Sequence, residues 1–255
     1  MRKYVLSALW SLLVLGAPTP ALMGVASGQA LTADQIIETH LTALGGRAAL
    51  SKVTSRRATG TVSVATPMGP LGGPVEMIAK APNKMRADIR IDLTSVGGPG
   101  EMLISYFFDG TDGWSMDSMQ GDTPMSGDQL AGARNNFFPS PLLKYKELGM
   151  TPALEPTQQV NGKAAHVVLF TPKTGPAERM FFDAESFLIV RTTSTLTLPQ
   201  VGTVDQVSES SDYRVVDGVK VAFVLSQVAG EQQVTMTFTK IEHNVALDDA
   251  RFVKK

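Results

Sequence analysis

Met85-Arg-Ala-Asp-Ile-Arg-Ile-Asp-Leu93 alternates between apolar and charged residues without a break. In an extended chain Met85, Ala87, Ile89, Ile91 and Leu93 share one face, and Arg86, Asp88, Arg90 and Asp92 share the other. The charged row also alternates in sign, so same-face neighbours can pair. Such a segment is a strand with one buried and one wet face. Outward from it, Val234-Thr-Met-Thr-Phe-Thr239 repeats the pattern, and turn signals recur at Pro82-Asn83, Asp109-Gly110, Asn161-Gly162 and Asp217-Gly218. The last two lie between apolar runs and predict hairpins with primed turns. Asp183-Ala-Glu-Ser186 predicts a longer hairpin loop. Strands are expected near 56–65, 74–81, 84–94, 101–108, 112–118, 158–161, 164–171, 178–183, 187–197, 203–215, 219–228 and 232–242, roughly ten once neighbours merge. The fold class is mainly β with some helix (α+β), built on a large antiparallel sheet in a meander.

Two helical regions interrupt the period of two. Thr32-Ala-Asp-Gln35 has the form of a capping box, and Ile36, Ile37, His40, Leu41 and Leu44 follow at helical spacing. Gly45-Gly46 ends that helix, and residues 47–53 read as a second, shorter one. Between the two halves of the sheet, Ser126 to Phe137 shows helical spacing at Leu130, Ala133 and Phe137. Pro139 and Pro141 then kink the chain before Leu142-Leu-Lys-Tyr-Lys-Glu147. These helices total roughly 45 residues, too few to cover a sheet of this size lying flat. Two solutions stay open: a two-sheet sandwich with a filled core, or a sheet curled about its own apolar face with helices across the opening. The curled form would leave an apolar concavity.

Arg2 and Lys3 precede an apolar run of about a dozen residues, the length of a signal-peptide core and short of the roughly 20 needed to span a bilayer. Pro18 and Pro20 break it. Gly24-Val25-Ala26 and Gly28-Gln29-Ala30 both offer small-x-small cleavage sites, and Ala30 fits best because a helix start follows at once. Residues 1–30 are therefore expected to be a cleaved signal peptide and 31–255 a single domain, periplasmic or else secreted. No integral membrane segment is expected after cleavage. Without Arg2 and Lys3, 21 basic residues face 24 acidic ones, a net charge of −3 that offers nucleic acid no basic face. The absence of cysteine excludes disulfides, a Cys metal site, a Cys nucleophile and N-terminal lipidation.

Catalytic and cofactor signals are wanting. His40, His166 and His243 have neither metal-site spacing nor a carboxylate cluster, so no metal is expected. No nucleophile elbow, Walker loop or dinucleotide fingerprint occurs, and no cofactor is implied. Gly97-Gly-Pro-Gly100 and Gly69-Pro-Leu-Gly-Gly-Pro74 lack the amides of a phosphate cradle and read as long hairpin loops. Asp109 and Asp112 suit turns, and Asp117 suits a solvent-facing strand position. Arg56 and Arg57 would point to opposite faces of one strand. The reading is a non-enzyme.

Three motifs and the element order carry a resemblance. Tyr106-Phe-Phe-Asp-Gly-Thr-Asp-Gly-Trp114, followed by Ser-Met-Asp117, resembles a hairpin of bacterial lipoprotein-carrier proteins, the LolA/LolB-like superfamily. Met180-Phe-Phe-Asp-Ala-Glu-Ser-Phe-Leu-Ile-Val190 is similar to their later hairpin. The tail, Asp212-Tyr-Arg-Val-Val-Asp-Gly-Val219 with the segment from Phe238 to Phe252, fits as well. The resemblance implies a half-open barrel whose apolar cavity is closed by helices and binds lipid or lipoprotein acyl chains without catalysis. Lacking a lipidation cysteine, the chain would not belong to the anchored receptor branch. The cavity residues implied are Ile89, Ile91, Met102, Ile104, Tyr106, Trp114, Met116 and Leu169. The lid would comprise Phe137, Phe138, Leu142 and Leu143, with Arg134 as the arginine that latches it. Ten methionines beyond residue 30 suit a surface that adapts to irregular chains. A monomer is expected. The second reading is an envelope protein-interaction or stress-sensing module with a filled core, docking a partner through an edge strand or the loop near residues 66–74. A hydrolase is a distant third.

Overall fold

The structure is a computed structural model that describes residues 31–98, 100–198 and 202–254. The expected leader and its cleavage sites at Ala26 and Ala30 lie outside the described residues.

The chain opens with α1 (Ala33–Ala43) and α2 (Arg47–Leu50). The capping box at the start of α1 is formed: Thr32 accepts from the Gln35 amide, and the Gln35 side chain accepts from the Thr32 amide. Ile36, Ile37 and Leu41 are wholly buried, each worth about 1.5–3 kcal/mol of transfer free energy. Six strands follow: β1 (Ser55–Val64), β2 (Leu71–Lys80), β3 (Lys84–Asp92), β4 (Glu101–Phe108), β5 (Gly113–Asp117) and β6 (Gly121–Pro124). An inserted helix, α3 (Gly127–Asn135), and a 3₁₀ turn at Pro141–Leu143 lead to β7 (Thr151–Val160), β8 (Lys163–Thr171), β9 (Glu178–Asp183), β10 (Ile189–Leu198), β11 (Gly202–Val216), β12 (Val219–Ala229) and β13 (Gln232–His243).

All thirteen strands form one antiparallel sheet in the order β6-β5-β4-β3-β2-β1-β13-β12-β11-β10-β9-β8-β7. The first half of the chain meanders outward from β1 at the centre to β6, and the second half starts at the opposite edge with β7 and meanders inward to β13 beside β1, so β6 and β7 are the two free edges. The sheet is curved and does not close into a barrel, and it is not a pair of stacked sheets. That resolves the two solutions left open above in favour of the curled one. Bulges supply local bends. At the centre the register of β1 against β13 shifts between Thr59 and Gly60. There Gly60 lies so close to Phe238 that an added Cβ would sit 2.6 Å from its Cα.

The hairpin turns at Asn161-Gly162 and Asp217-Gly218 carry positive φ at both positions (51° and 81°, 50° and 80°), as primed turns require. Three expectations are corrected. Gly72 and Gly73, read as loop, continue β2, where they pair with Ser63 and Val62; lacking Cβ atoms, they let the strand pass close to its neighbours. β6 was not expected, and β7 begins at Thr151 rather than near 158, because prolines and polar residues mask both edge strands. Helix α3 forms where it was expected but contributes no buried residue; Leu130 and Ala133 remain half exposed. The segment after α3 contributes buried residues instead: Phe138, Leu142, Tyr145 and Met150 enter the main core.

The outer face of the β2–β5 region is held to the C-terminal tail. Lys80 donates to the Leu247 carbonyl, Arg86 donates to the Arg251 carbonyl, and Arg251 pairs with Glu76 at 2.6 Å. Phe252 is fully buried.

Candidate functional site

Register decides which residues face the concavity. β3 pairs β4 with Ile89 opposite Ile104 and Ile91 opposite Met102. Paired residues share a face, so these four and Tyr106 all lie on the concave side. Ile89 and Ile91 are core residues there, and Met102, Ile104 and Tyr106 pack half-buried against them. Trp114 and Met116 do not join them. Trp114 pairs with Phe107 and Met116 with Ser105, the residues that alternate with Tyr106 and Ile104, so both lie on the outer face. The Lys254 ammonium sits 4.1 Å from the centre of the Trp114 ring. Leu169 is misplaced for the same reason. Val168 and Phe170 point into the main core, while Leu169 shares the opposite face with Ala165 and Val167, which belong to a small separate cluster.

One end of the concave face holds a cavity of about 370 Å³. Its apolar walls include Ala58 and Met77 from one half of the sheet and Val221, Phe238 and Ile241 from the other, and residues 136–141 contribute a strap. Ile89, Ile91, Met102, Ile104 and Tyr106 lie outside its lining, on the same concave face. Phe137 and Phe138 line it. The Phe138 amide donates to the Pro82 carbonyl at 2.7 Å, tying the strap to the β2–β3 turn. Leu142 is buried in the core, and Leu143 packs half-buried beside it. A second cavity of about 390 Å³ shares Asn136 and Pro141 with the first and is lined by Phe170, Glu178 and Met180. Burial raises the Glu178 carboxyl above the usual glutamate value, and a hydrogen bond from Thr192 partly offsets this.

Arg134 is not among the residues that line the cavity. Its guanidinium donates to the Thr111 carbonyl at 3.0 and 3.1 Å, on the β4–β5 turn, and remains largely exposed. The arginine beneath the strap is Arg56. It lies on the concave face of β1 opposite Ala79, and its guanidinium carbon is 5.3 Å from the centre of the Phe138 ring. Burial lowers its pKa to about 10, so it remains a cation at neutral pH. Its Nε donates to His243 Nε2 at 3.1 Å. Because guanidinium only donates, His243 must accept there and carry its proton on Nδ1. That Nδ1 is buried without a hydrogen-bond partner, 3.6 Å from Asp217. Burial and then the Arg56 charge lower the His243 pKa, which favours this neutral form. The sequence did place Arg56 and Arg57 on opposite faces, and Arg57 indeed pairs outside with Glu76. Alternation could not say which of the two turned inward.

His40 also lines the cavity. Its Nδ1 lies 2.8 Å from the Phe187 carbonyl, and burial lowers its pKa to about 4. Among the described residues no cluster of three or more His, Cys, Asp or Glu side chains is placed to hold a metal, and no helix is long and apolar enough to cross a membrane.

No protein-family model and no curated protein sequence matches the chain. Solved structures do. The fold is similar to that of a LolA superfamily protein from Nitrosomonas europaea, with a TM-score of 0.55 and 13% identity over 88% of this chain and 99% of that one. It is similar to a DUF1329 family protein from Desulfovibrio piger, with a TM-score of 0.55 and 11% identity over 87% and 97%. It is also similar to a domain from Vibrio parahaemolyticus assigned provisionally as an outer membrane lipoprotein-sorting protein, with a TM-score of 0.53 and 10% identity over 85% and 95%. At such identities the likeness is one of fold. It agrees with the resemblance first read from the hairpin motifs.

Proposed function

We propose that this chain is a soluble periplasmic carrier or binder of lipidic ligands, non-catalytic, which takes an acyl chain into the cavity beneath the 136–141 strap. On this reading residues 1–30 are a signal peptide, and residues 31–255 work as one domain and as a monomer. The observation that carries the proposal is the cavity itself. About 370 Å³ of space remains at one end of the sheet's apolar face, walled by aliphatic and aromatic side chains from both halves of the chain. That volume lies at the lower end of the roughly 300–1,000 Å³ typical of ligand pockets. Transfer of an acyl chain from water would supply the affinity, at about 25 cal/mol per Å² of apolar surface. The likeness in fold to a LolA superfamily protein supports the same reading.

The protein-partner reading has less support from the edges. β6 is four residues long. β7 carries Pro152 and Pro156 and a register shift between Glu155 and Gln158. Short strands, prolines and bulges hinder strand addition. The part of the 66–74 segment that precedes β2, residues 66–70, is the better docking point for a partner, with Met68 76% exposed.

Native mass spectrometry of the protein recovered from a bacterial envelope tests the proposal. The expected spectrum contains a non-covalent adduct of acyl-lipid mass, lost when Phe238→Arg fills the cavity with charge. A clean apo mass, with no uptake of a hydrophobic dye, would remove the carrier reading. A stoichiometric protein adduct would favour the partner reading.

A further inference from the structure

Ten arginines fall among the described residues, and nine of them make an ion pair with an Asp or Glu. The exception is Arg56, the one beneath the strap. Arg56 is half-buried, and arginine cannot relieve the cost of partial desolvation by shedding its proton near neutral pH. The hydrogen bond to His243 uses Nε alone. Nη1 and Nη2 make no hydrogen bond to any described residue, so the two terminal nitrogens of the fork are free. The cavity wall repeats the same asymmetry. Its basic lining residues are His40, Arg56, Lys84, Arg86 and Lys220, with no aspartate or glutamate in the lining. Lys84 and Arg86 are already paired with Asp249 and Asp88. Arg56 and Lys220 have no ion pair with a described residue, so the cavity carries uncompensated positive charge, and of the two Arg56 is the one beneath the strap.

We propose that Arg56 is the headgroup site for a single-chain carboxylate amphiphile, a long-chain fatty acid, whose chain occupies the cavity beneath the strap. This rests on the carrier reading and adds the ligand's charge and polarity to it. A planar carboxylate matches the free guanidinium edge in a bidentate pair, stronger than a neutral hydrogen bond and more demanding in geometry. The Phe138 ring over the guanidinium joins the headgroup site to the strap. His243 holds Arg56 from behind through an acceptor nitrogen, leaving the outer nitrogens to the ligand.

Equilibrium titration of the delipidated protein with laurate, dodecanol and dodecyl phosphate separates the possibilities. Laurate is expected to bind at least tenfold more tightly than dodecanol. Arg56→Gln should bring laurate and dodecanol to equal affinity, and Arg56→Lys should keep part of the preference. Equal affinity of the wild type for laurate and dodecanol overturns the headgroup assignment but leaves the carrier reading standing. A preference for laurate that survives Arg56→Gln overturns the assignment too. Tighter binding of the phosphate than of laurate overturns the choice of a carboxylate. Binding of none of the three sinks the proposal and the carrier reading together. The acid-against-alcohol comparison uses the wild-type protein and so does not depend on any variant folding.

Discussion

His40 is buried and Arg56 half-buried beside the same cavity, yet they meet desolvation differently. Histidine can shed its proton, and His40 does so, its pKa lowered to about 4 by desolvation with its Nδ1 on the Phe187 carbonyl. Arginine keeps its charge and therefore calls for an anion. The His40 shift has a stability consequence. Its folded pKa lies below the unfolded value near 6.5, so the unfolded chain binds more protons between about pH 6.5 and pH 4. No penalty applies above that window; stability falls as pH drops through it, by on the order of 3 kcal/mol when complete. His40→Gln keeps a donor for Phe187 and cannot titrate. Urea unfolding at pH 7 and pH 4 should show the wild type losing that much more stability than the variant. Parallel pH dependences would contradict the assignment. His243, whose pKa is also lowered, adds a loss of the same sign in both proteins.

At the scale of the element, curvature depends on local irregularities that a strand pattern hides. Gly60 is the clearest case. Any side chain there meets the β13 backbone at Thr237 and Phe238, where the central register shifts. Gly60→Val is expected to destabilise by about 1–3 kcal/mol through overpacking. Chemical denaturation would measure it, and a neutral effect would show that the bulge does not constrain the sheet. The same scale separates what was legible in the sequence from what was not. The capping box of α1, the alternation of β3 and the Asn-Gly and Asp-Gly turns are local, and they formed as read. Trp114, Met116 and Leu169 were assigned to the wrong face because alternation defines two faces without naming the inner one. Only the register with the neighbouring strand does that, and β4–β5 register depends on the geometry of the 109–112 turn. Arg56 could be placed on one face of its strand but not on the inner one for the same reason, since its meaning comes from its partners. The strap was legible as an apolar, proline-kinked segment, but the burial falls on the residues after α3 rather than on the helix.

Across the whole molecule, the chain order places the sheet's free edges far apart in strand order and its termini near the central pair. The 136–141 strap comes from the connection between those edges and reaches the cavity formed near the β1–β13 seam. Both halves of the chain must therefore fold before the cavity exists. The outer face is closed differently, by the C-terminal tail and its ion pairs, which is where Trp114 lies. The central claim is that lipid enters on the strap side of the sheet and not on the outer side. Quenching by a brominated fatty acid tests it most directly. A chain carrying Trp10→Phe, Trp114→Phe and Phe138→Trp has a single tryptophan, in the strap; one carrying Trp10→Phe alone keeps only Trp114, on the outer face. Saturating brominated stearate is expected to quench the strap tryptophan strongly and to leave Trp114 emission nearly unchanged. Quenching of Trp114 with no effect on the strap tryptophan would place the ligand on the opposite face and contradict the account.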